Sequence, residues 1–576
     1  MKWIKKHFLL LVLVTAAIVR LGYVLTLEDR WYFFDTTHYD TAARSLLDNG
    51  TFGPSLHFYN DYEYFCLEPS YPIFLAGVYA LFGRSFLAVR VVQILLSLLQ
   101  IWFAYQIGLM VYRKAAKLIA GVTAFYPFFI YLSGLLYVTQ LVALLIVMTV
   151  FAFLKYRERP TWGRLLLSGL LLGVSMVTLP VLTPTVLLFV LWLLFLPNLQ
   201  VRERVLHSTV LILLCIAVMA PWTLRNYNVF GKLSLGRACL AETKVLNYMH
   251  YLFEREKALE DQVFEGQRFA VEISGDEDST RFTYFIDDTP FMQLSPRQAL
   301  SNPHIGYTGL MFYGGDSLTL DRMIAGRAAE NQRQPKIRSD RSQIAIQSSN
   351  VMRRDSEIFV KPSDAFWSDK LLFAPKDTLD YFVLDYGDSP HPNDVRRVAI
   401  LFGLDSTTTT ANGYMTWLHP WKEPDLWRVQ QGQPSASIPV QKTYLSGASP
   451  SLFSLITEYP GPYVFKHFIP EFLNFWSPWV HRITTDSNEP GTVQQWLSFL
   501  SFAPLLLFMP IGMVILFRHR PWQLALFLIF ILTISGGYSL FFTEVRYRLP
   551  IDNLVIILAM IGLCWTFNKM RCCCDR

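Results

Sequence analysis

Acidic side chains crowd into one short stretch near the start of this sequence. Eight Asp and Glu residues lie between Glu28 and Glu68, in the polar segment that follows the first apolar run. Asp35 and Tyr39 are spaced by one helical turn, so a helix here would present both on one face. A carboxylate at a membrane surface can act as a general base. Asp35 could equally cap a short helix starting at Thr36, and the local sequence leaves both interpretations open.

Four arginines occupy positions where an anionic group could bind. Arg225, Arg546 and Arg548 each come just outside a predicted helix end, and guanidinium groups bind phosphate oxygens through two parallel hydrogen bonds. They could also bind lipid headgroups without any part in catalysis. Arg20 falls within the first apolar run, where a charge is costly and therefore suggests a function. Snorkelling toward the outer surface is the alternative for Arg20.

The rest of the chain is organised to hold these residues at a membrane. Hydrophobic residues make up 52% of the 576 residues and charged residues only 17%, whereas soluble domains carry about 25% charged residues. The apolar residues form long runs on both sides of a polar block, which excludes a soluble globular protein. Because Pro180 and Pro184 interrupt one long run, we interpret it as two short helices. About ten transmembrane helices are predicted, at 8–27, 85–112, 118–134, 135–154, 165–180, 181–197, 206–223, 497–517, 523–542 and 549–567.

Positive charge orients these spans. Lys and Arg residues cluster at 2–6, 113–117, 155–164, 202–204, 518–520 and 569–576, and short loops rich in these residues stay in the cytoplasm. The predicted architecture is a polytopic α-helical membrane protein with three parts. An N-terminal transmembrane module at 1–223 contains the first external loop, 28–70. A large mixed α/β external domain at 224–496 lies between the seventh and eighth spans, and a C-terminal transmembrane module occupies 497–576.

The acidic residues outside the large loop are all placed near the membrane surfaces by this topology. Glu544 and Asp552 fall at the outer surface, so no carboxylate is expected deep within a helix. This argues against an ion-coupled transporter, which needs buried carboxylates. The segment 224–495 has a net charge of −5 and the remainder +11, so the external domain offers no basic surface for nucleic acid. The single glycosylation sequon, Asn49-Gly50-Thr51, favours a bacterial inner membrane with the external domain in the periplasm.

Five motifs in chain order resemble the GT-C superfamily of membrane glycosyltransferases. Asp-Thr-Thr-His-Tyr at 35–39 is similar to the first-loop signature of the superfamily. Glu-Pro-Ser-Tyr-Pro-Ile-Phe-Leu-Ala at 68–76 resembles the next segment in the protein O-mannosyltransferase and aminoarabinose-transferase branch. The segments 221–231, 475–478 and 546–550 are similar to the start of the external domain, the return from it and the last outer loop.

The resemblance implies an inverting transfer of one sugar from a polyprenyl-phosphate carrier to an acceptor hydroxyl of a protein, lipid or glycan. Asp35 would be the general base, because a single displacement needs one group to take the acceptor proton. Glu68 matches a Glu that helps to bind metal and donor phosphate in the aminoarabinose-transferase branch. It could therefore join Asp35 around a divalent Mg, Mn or Zn ion. The implied substrate-binding residues are Tyr39, Glu68, Arg20, Arg225, Arg546 and Arg548.

The chain also departs from the superfamily pattern. Gln140 stands where an acidic residue often starts a helix, and no Arg lies beside a Thr near Leu179 and Pro180. These departures leave open a second interpretation. In it, the chain is a GT-C-like protein that binds or moves lipid-linked glycans without chemistry.

Overall fold

The long apolar runs of the chain form helices, and the polar block between them forms β-strands. The computed structural model describes residues 2–28, 35–53, 67–230, 233–234, 268–274, 279–286, 289–296, 299–300, 307–312, 318–320, 322–326, 344–347, 351–354, 357–360, 369–373, 381–385, 398–406, 411–418, 426–431, 433–438, 440–444, 452–479 and 492–574. The chain divides into two units. The first joins Met1–Cys239 to Val464–Arg576, and the second is Leu240–Tyr463.

The first unit is helical. Its N-terminal part contains α1 (Lys2–Leu25), α2 (Asp35–Asn49), α3 (Ser70–Phe82), α4 (Phe86–Val111), α5 (Ala116–Phe125), α6 (Pro127–Gly134), α7 (Thr139–Glu158), α8 (Trp162–Thr178), α9 (Thr185–Leu194) and α10 (Val201–Phe230), with 3₁₀ turns at Arg113–Ala115 and Pro180–Leu182. The second unit ends with α11 (Leu452–Glu458) and the single turn α12 (Pro460–Pro462), and a π-helix follows at Tyr463–Phe468. The C-terminal part of the first unit contains α13 (Ile469–Trp476), α14 (Thr492–His519), α15 (Pro521–Ser539), α16 (Val545–Arg548), a 3₁₀ turn at Leu549–Ile551 and α17 (Asp552–Cys574).

The helices follow the predicted division of the apolar runs. Seven helices in the described part of the chain are long and apolar enough to cross a membrane. The pair Arg113–Phe125 and Pro127–Gly134, bent by 47°, would make an eighth. The two remaining predicted spans, 165–180 and 181–197, are shorter helices, Trp162–Thr178 and Pro180–Leu194. The interruption of that long run at Pro180 is therefore confirmed.

One predicted span, 118–134, needs correction because it is broken. Helix α5 ends at Phe125, and α6 starts at Pro127. Proline has no N–H to donate, so the helix cannot continue its hydrogen-bond pattern through this point. The break was not predicted because the residues on both sides of it are apolar.

Helices α7 and α17 form the centre of the bundle, since most of each lies buried among other helices. Helix α17 packs against α14 through glycines: a methyl group at Gly512 would overlap the carbonyl of Leu558, and one at Gly562 would overlap the carbonyl of Phe508. Small residues allow such close approach of membrane helices.

The second unit is built mainly of antiparallel strands. Its described strands are β1 (Arg268–Ser274), β2 (Arg281–Ile286), β3 (Thr289–Pro296), β4 (Tyr307–Phe312), β5 (Leu318–Leu320), β6 (Arg322–Gly326), β7 (Ile344–Gln347), β8 (Val351–Arg354), β9 (Glu357–Val360), β10 (Asp369–Phe373), β11 (Tyr381–Asp385), β12 (Val398–Leu404), β13 (Gly413–Leu418), β14 (Leu426–Gln430), β15 (Gln433–Ile438) and β16 (Val440–Tyr444). They form sheets ordered β16-β3-β2-β1-β11-β6, β15-β14-β13-β12-β4-β10-β7 and β5-β9-β8.

The two larger sheets of this unit contact each other. The rings of Phe282 and Phe402 lie 5.0 Å apart, and the hydroxyls of Tyr284 and Thr416 are hydrogen bonded at 2.7 Å. The sheets together with α11 and α12 agree with the predicted mixed α/β domain, although strands predominate in the described residues.

Candidate active site

Helix α2 is fixed by a hydrogen bond at its first turn. The helix begins at Asp35, and the Thr36 hydroxyl donates to the carbonyl of Leu136 at 2.8 Å. Thr36, His38, Tyr39 and Asp40 are all buried. Asp35 and Tyr39 therefore lie one turn apart in a single helix, although the side chain of Asp35 lies outside the described residues. The docking of α2 thus depends on the segment that joins α6 to α7.

Tyr39 lies in an aromatic cluster made of residues from three segments. Its ring meets Tyr71 edge-on at 5.3 Å and Tyr137 edge-on at 5.8 Å. Tyr71 belongs to α3, which starts two residues after Glu68, and Tyr137 belongs to the α6–α7 connection. Edge-to-face contacts of this kind are favourable, so the cluster joins α2 to both neighbouring segments.

Arg546 of the short helix α16 contacts the same tyrosine. Its guanidinium lies 5.2 Å from the ring centre of Tyr137 and 5.2 Å from that of Tyr547. It also pairs with Glu544 at 2.6 Å, and its side chain is 11% exposed. Tyr39 and Arg546 therefore converge on Tyr137. This brings together α2 and the segment that joins α15 to α17, which are about 500 residues apart in the chain.

Glu68 is buried at the start of α3. Two residues later, the hydroxyl of Ser70 accepts a 2.9 Å hydrogen bond from Thr178 at the end of α8. No group of three or more His, Cys, Asp or Glu side chains gathers within the described residues. These residues do not assemble a ligand set around Glu68, so metal binding by Asp35 and Glu68 stays a prediction from the sequence.

Arg225 lies inside a helix rather than beyond its end, because α10 continues to Phe230. Its guanidinium lies over the Trp222 ring at 4.7 Å, and it donates to the side chain of Asn226 at 3.1 Å. Trp222 in turn contacts Phe52, three residues after the end of α2, with ring centres 5.0 Å apart. Arg225 is thus connected through Trp222 to the segment that follows α2.

Arg20 does not snorkel. Its side chain is fully buried and donates to the hydroxyl of Ser97 at 2.9 Å and to the carbonyl of Ala124 at 2.8 Å. Ala124 lies in the last turn of α5, where the break before Pro127 leaves carbonyls without helical partners. Arg20 therefore supplies the hydrogen-bond donor that the Ala124 carbonyl lacks at the break. This structural role explains why a charged side chain is buried here.

Arg548 and Asp552 are also buried, which the sequence did not predict. Arg548 pairs with Asp552 at 3.3 Å and donates to the carbonyl of Ser477 at 2.9 Å. The Arg548 guanidinium also lies against the ring of Phe502 at 3.4 Å. A charge near a helix end can be buried when its partner is four residues away. Asp552 is the first residue of α17 and so lies at a helix end as expected, but its burial among other helices was not predicted.

Asp40 has a structural role that its local sequence does not reveal. Its buried carboxylate accepts two hydrogen bonds from Arg84, both 3.1 Å, and one from Tyr79 at 2.9 Å. Arg44, one turn along α2, pairs with it at 3.1 Å. Of these partners, the sequence indicated only Arg44, because it lies four residues after Asp40 in the same helix. Among the eight acids of the first loop, Asp40 is therefore committed to holding α2 in place.

Two further buried polar residues, Arg90 and Gln93, lie in α4. Arg90 donates to the carbonyls of Gly134 at 3.1 Å and Glu28 at 3.0 Å. Gln93 donates to the carbonyl of Leu135 at 2.8 Å. Their signal was available, since both interrupt an apolar run that was predicted to cross the membrane.

Residues 68–224 match the sequence model of a family described as dolichyl-phosphate-mannose-protein mannosyltransferase. The match starts at Glu68 and covers a minority of the chain. It confirms the resemblance of the N-terminal membrane module to the GT-C superfamily. The motif 35–39 lies outside the matched segment. No curated protein matches the chain.

Some solved structures show a slight likeness. ArnT from Cupriavidus metallidurans bound to undecaprenyl phosphate is 18% identical, with a TM-score of 0.31 over 39% of this chain and 43% of that one. The oligosaccharyltransferase AglB from Archaeoglobus fulgidus, in complex with an inhibitory peptide and a dolichol-phosphate, is 17% identical, with a TM-score of 0.32 over 38% of this chain and 30% of that one. The chain spans less than half the length of each, and a likeness this slight carries no argument about activity.

Proposed function

We propose that this membrane protein of the GT-C type transfers a single sugar from a polyprenyl-phosphate carrier to an acceptor hydroxyl, with inversion at the anomeric carbon. The observation that carries the proposal is the convergence of Tyr39 and Arg546 on Tyr137. Arg546, whose guanidinium could bind a phosphate, is thus connected through one aromatic ring to the helix that begins with Asp35. The family match over 68–224 supports the same class of donor.

The reaction needs few groups. In our proposal Asp35 takes the proton of the acceptor hydroxyl, and the acceptor oxygen attacks the anomeric carbon. The bond between that carbon and the phosphate oxygen breaks, and the lipid phosphate leaves with the electron pair. The leaving group is already an anion, so it needs positive charge rather than a proton. Arg546 and Arg225 would supply that charge.

We assign a structural part to the other two arginines. Arg20 and Arg548 are enclosed by helices, and their described contacts are with the protein itself. Both are fully buried, whereas Arg225 and Arg546 are partly exposed and therefore more accessible to a carrier phosphate. We therefore propose that they hold the bundle in shape, while Tyr39 and Glu68 line the site.

The reaction is proposed on the external face of the membrane. The basic loops predict that α2 lies on the side opposite the cytoplasm. We place the chain in a bacterial inner membrane with the site facing the periplasm. The acceptor would be a hydroxyl of a protein, a lipid or a glycan.

The test uses purified full-length protein in liposomes, a panel of polyprenyl-phosphate sugars and crude membranes as the source of acceptor. Release of carrier phosphate is measured for wild type, Asp35→Asn and Asp48→Asn. Asp48 is exposed at the other end of the same helix, so Asp48→Asn is a matched control for the loss of one charge. We expect turnover by wild type and Asp48→Asn and a collapse in Asp35→Asn. Equal turnover by all three proteins would remove Asp35 as the base.

A non-catalytic role is the second candidate, and one contact favours it. Gln140, at the position where the superfamily often has an acid, donates to Gln100 at 2.7 Å within a buried network. Tight binding of one lipid-linked sugar without any release of carrier phosphate would support a protein that binds or moves such glycans.

A further inference from the structure

The segment between α6 and α7 has buried backbone carbonyls that no helical hydrogen bond satisfies. Helix α6 contains only eight residues, Pro127–Gly134. The last four carbonyls of any helix lack helical partners. In an apolar bundle these groups are costly unless side chains satisfy them. The residues that satisfy them therefore decide where this segment lies.

Side chains from two helices satisfy these carbonyls in succession. Gln93 donates to Ser133 at 3.3 Å and to Leu135 at 2.8 Å. Arg90 donates to Gly134 at 3.1 Å. Thr36, in the first turn of α2, donates to Leu136 at 2.8 Å. Four consecutive carbonyls, 133–136, are thus held by α4 on one side and by α2 on the other.

Gln93 also reaches the third segment of the candidate site. Its carboxamide oxygen accepts a 2.8 Å hydrogen bond from the hydroxyl of Tyr71 in α3, and Tyr71 packs against Tyr39. Both the nitrogen and the oxygen of this buried carboxamide therefore form hydrogen bonds. The amide group fixes the turn on which α2 is docked, and the oxygen fixes the helix that follows Glu68.

We propose that Gln93 is a positioning residue for the transfer reaction. It sets the α6–α7 turn, and through that turn it sets α2, with Asp35 and Tyr39, relative to Glu68 and Arg546. The inference rests on the function proposed above. A carboxamide suits this place because it donates and accepts at once; leucine has a similar size and can do neither.

The first test compares catalysis with stability. Gln93→Leu and Tyr71→Phe each remove part of the linkage. Tyr156→Phe is the matched control, because Tyr156 is also fully buried and bonded to a side chain, His207, at 2.6 Å in a different part of the bundle. We expect Gln93→Leu to lower kcat by about 10- to 100-fold, since small displacements of reacting groups have effects of this size. Tyr71→Phe should lower kcat by a smaller factor, and Tyr156→Phe should leave it within about twofold at temperatures below its Tm.

The second test does not depend on catalysis. Thermal unfolding is measured for Gln93→Leu, Thr36→Val and the double variant. Both residues hold adjacent carbonyls of one turn, so we expect the loss of Tm in the double variant to be smaller than the sum of the single losses. Additive losses of Tm, or an unchanged kcat in Gln93→Leu, would overturn the proposal. Absence of turnover in wild type would instead contradict the proposed function, and the thermal cycle would still decide whether Gln93 couples the turn to α2.

Discussion

The hydroxyl of Tyr126 donates a 2.7 Å hydrogen bond to the carboxylate of Asp552. This contact joins the break between α5 and α6 to the first turn of α17. Asp552 is fully buried, and Arg548 pairs with it at 3.3 Å. A buried carboxylate needs such partners, because no solvent is present to stabilise its charge. The hydrogen bond and the ion pair together allow a polar stretch of sequence to enter the bundle.

The first prediction concerns this ion pair. Asp552→Leu should lower the free energy of unfolding by about 3–5 kcal/mol, because it leaves Arg548 buried without its counter-charge. Thermal or denaturant unfolding in detergent measures the loss. The double variant Asp552→Leu with Arg548→Met should lose less than Asp552→Leu alone. A double variant less stable than the single one would show that the pair is not what holds these residues.

The second prediction separates Asp40 from Asp35. Asp40→Asn should lower the free energy of unfolding by about 1.5–3 kcal/mol, the usual size of a hydrogen bond to a charged group, because Arg84 and Tyr79 both donate to this carboxylate. Thermal unfolding is the measurement, and the exposed Asp48→Asn is the control. A stable but inactive Asp40→Asn protein would contradict the structural role and move the chemistry from Asp35 to Asp40.

The helices could be predicted because membrane spans have a strong signal. Most ends of the predicted spans fall within a few residues of the helix ends, and Pro180 was recognised as an interruption. The break at Tyr126 was missed because Pro127 lies within an otherwise continuous apolar run. Whether a proline kinks a helix or ends it depends on donors such as Arg20, which lies 104 residues from Ala124.

The site was harder to predict because its residues acquire their roles from distant partners. The motif around Asp35 and Tyr39 was visible locally, and a single helix there was expected. The burial of Asp552 was not, since a charged residue near a helix end is usually exposed and Tyr126 lies 426 residues away. The position of Gln93 within an apolar run was a signal in the sequence, but its partners Tyr71 and Leu135 could not be identified from it.

The third prediction concerns the donor phosphate. Arg546→Gln should raise KM for the lipid-phosphate donor about tenfold, since a charge-assisted hydrogen bond contributes about 1.5–3 kcal/mol. KM should also depend less on salt concentration, because salt would no longer screen an attraction between Arg546 and the donor phosphate. Steady-state kinetics at two ionic strengths provide the measurement, with the exposed Arg159→Gln as the control. If KM and its dependence on salt match those of Arg159→Gln, Arg546 does not bind the phosphate.

The last prediction concerns pH and the π-helix Tyr463–Phe468. Burial lowers the pKa of His467 below its ordinary value, although Glu471 and the carbonyls of Leu540 and Phe541 favour the charged form. Glu471 also accepts hydrogen bonds from Thr543, at 2.7 Å from its N–H and 2.6 Å from its hydroxyl. The unfolded chain should therefore take up a proton at His467 near pH 6.5 while the folded protein resists it. The contribution of this residue to stability is present above that pH and is lost as the pH falls through it.

We therefore expect the Tm of wild type to fall between pH 7.5 and 5.5. The fall should be smaller in His467→Gln, and in the exposed His519→Gln it should equal that of wild type. Equal falls in all three proteins would exclude His467 as a source of the pH dependence.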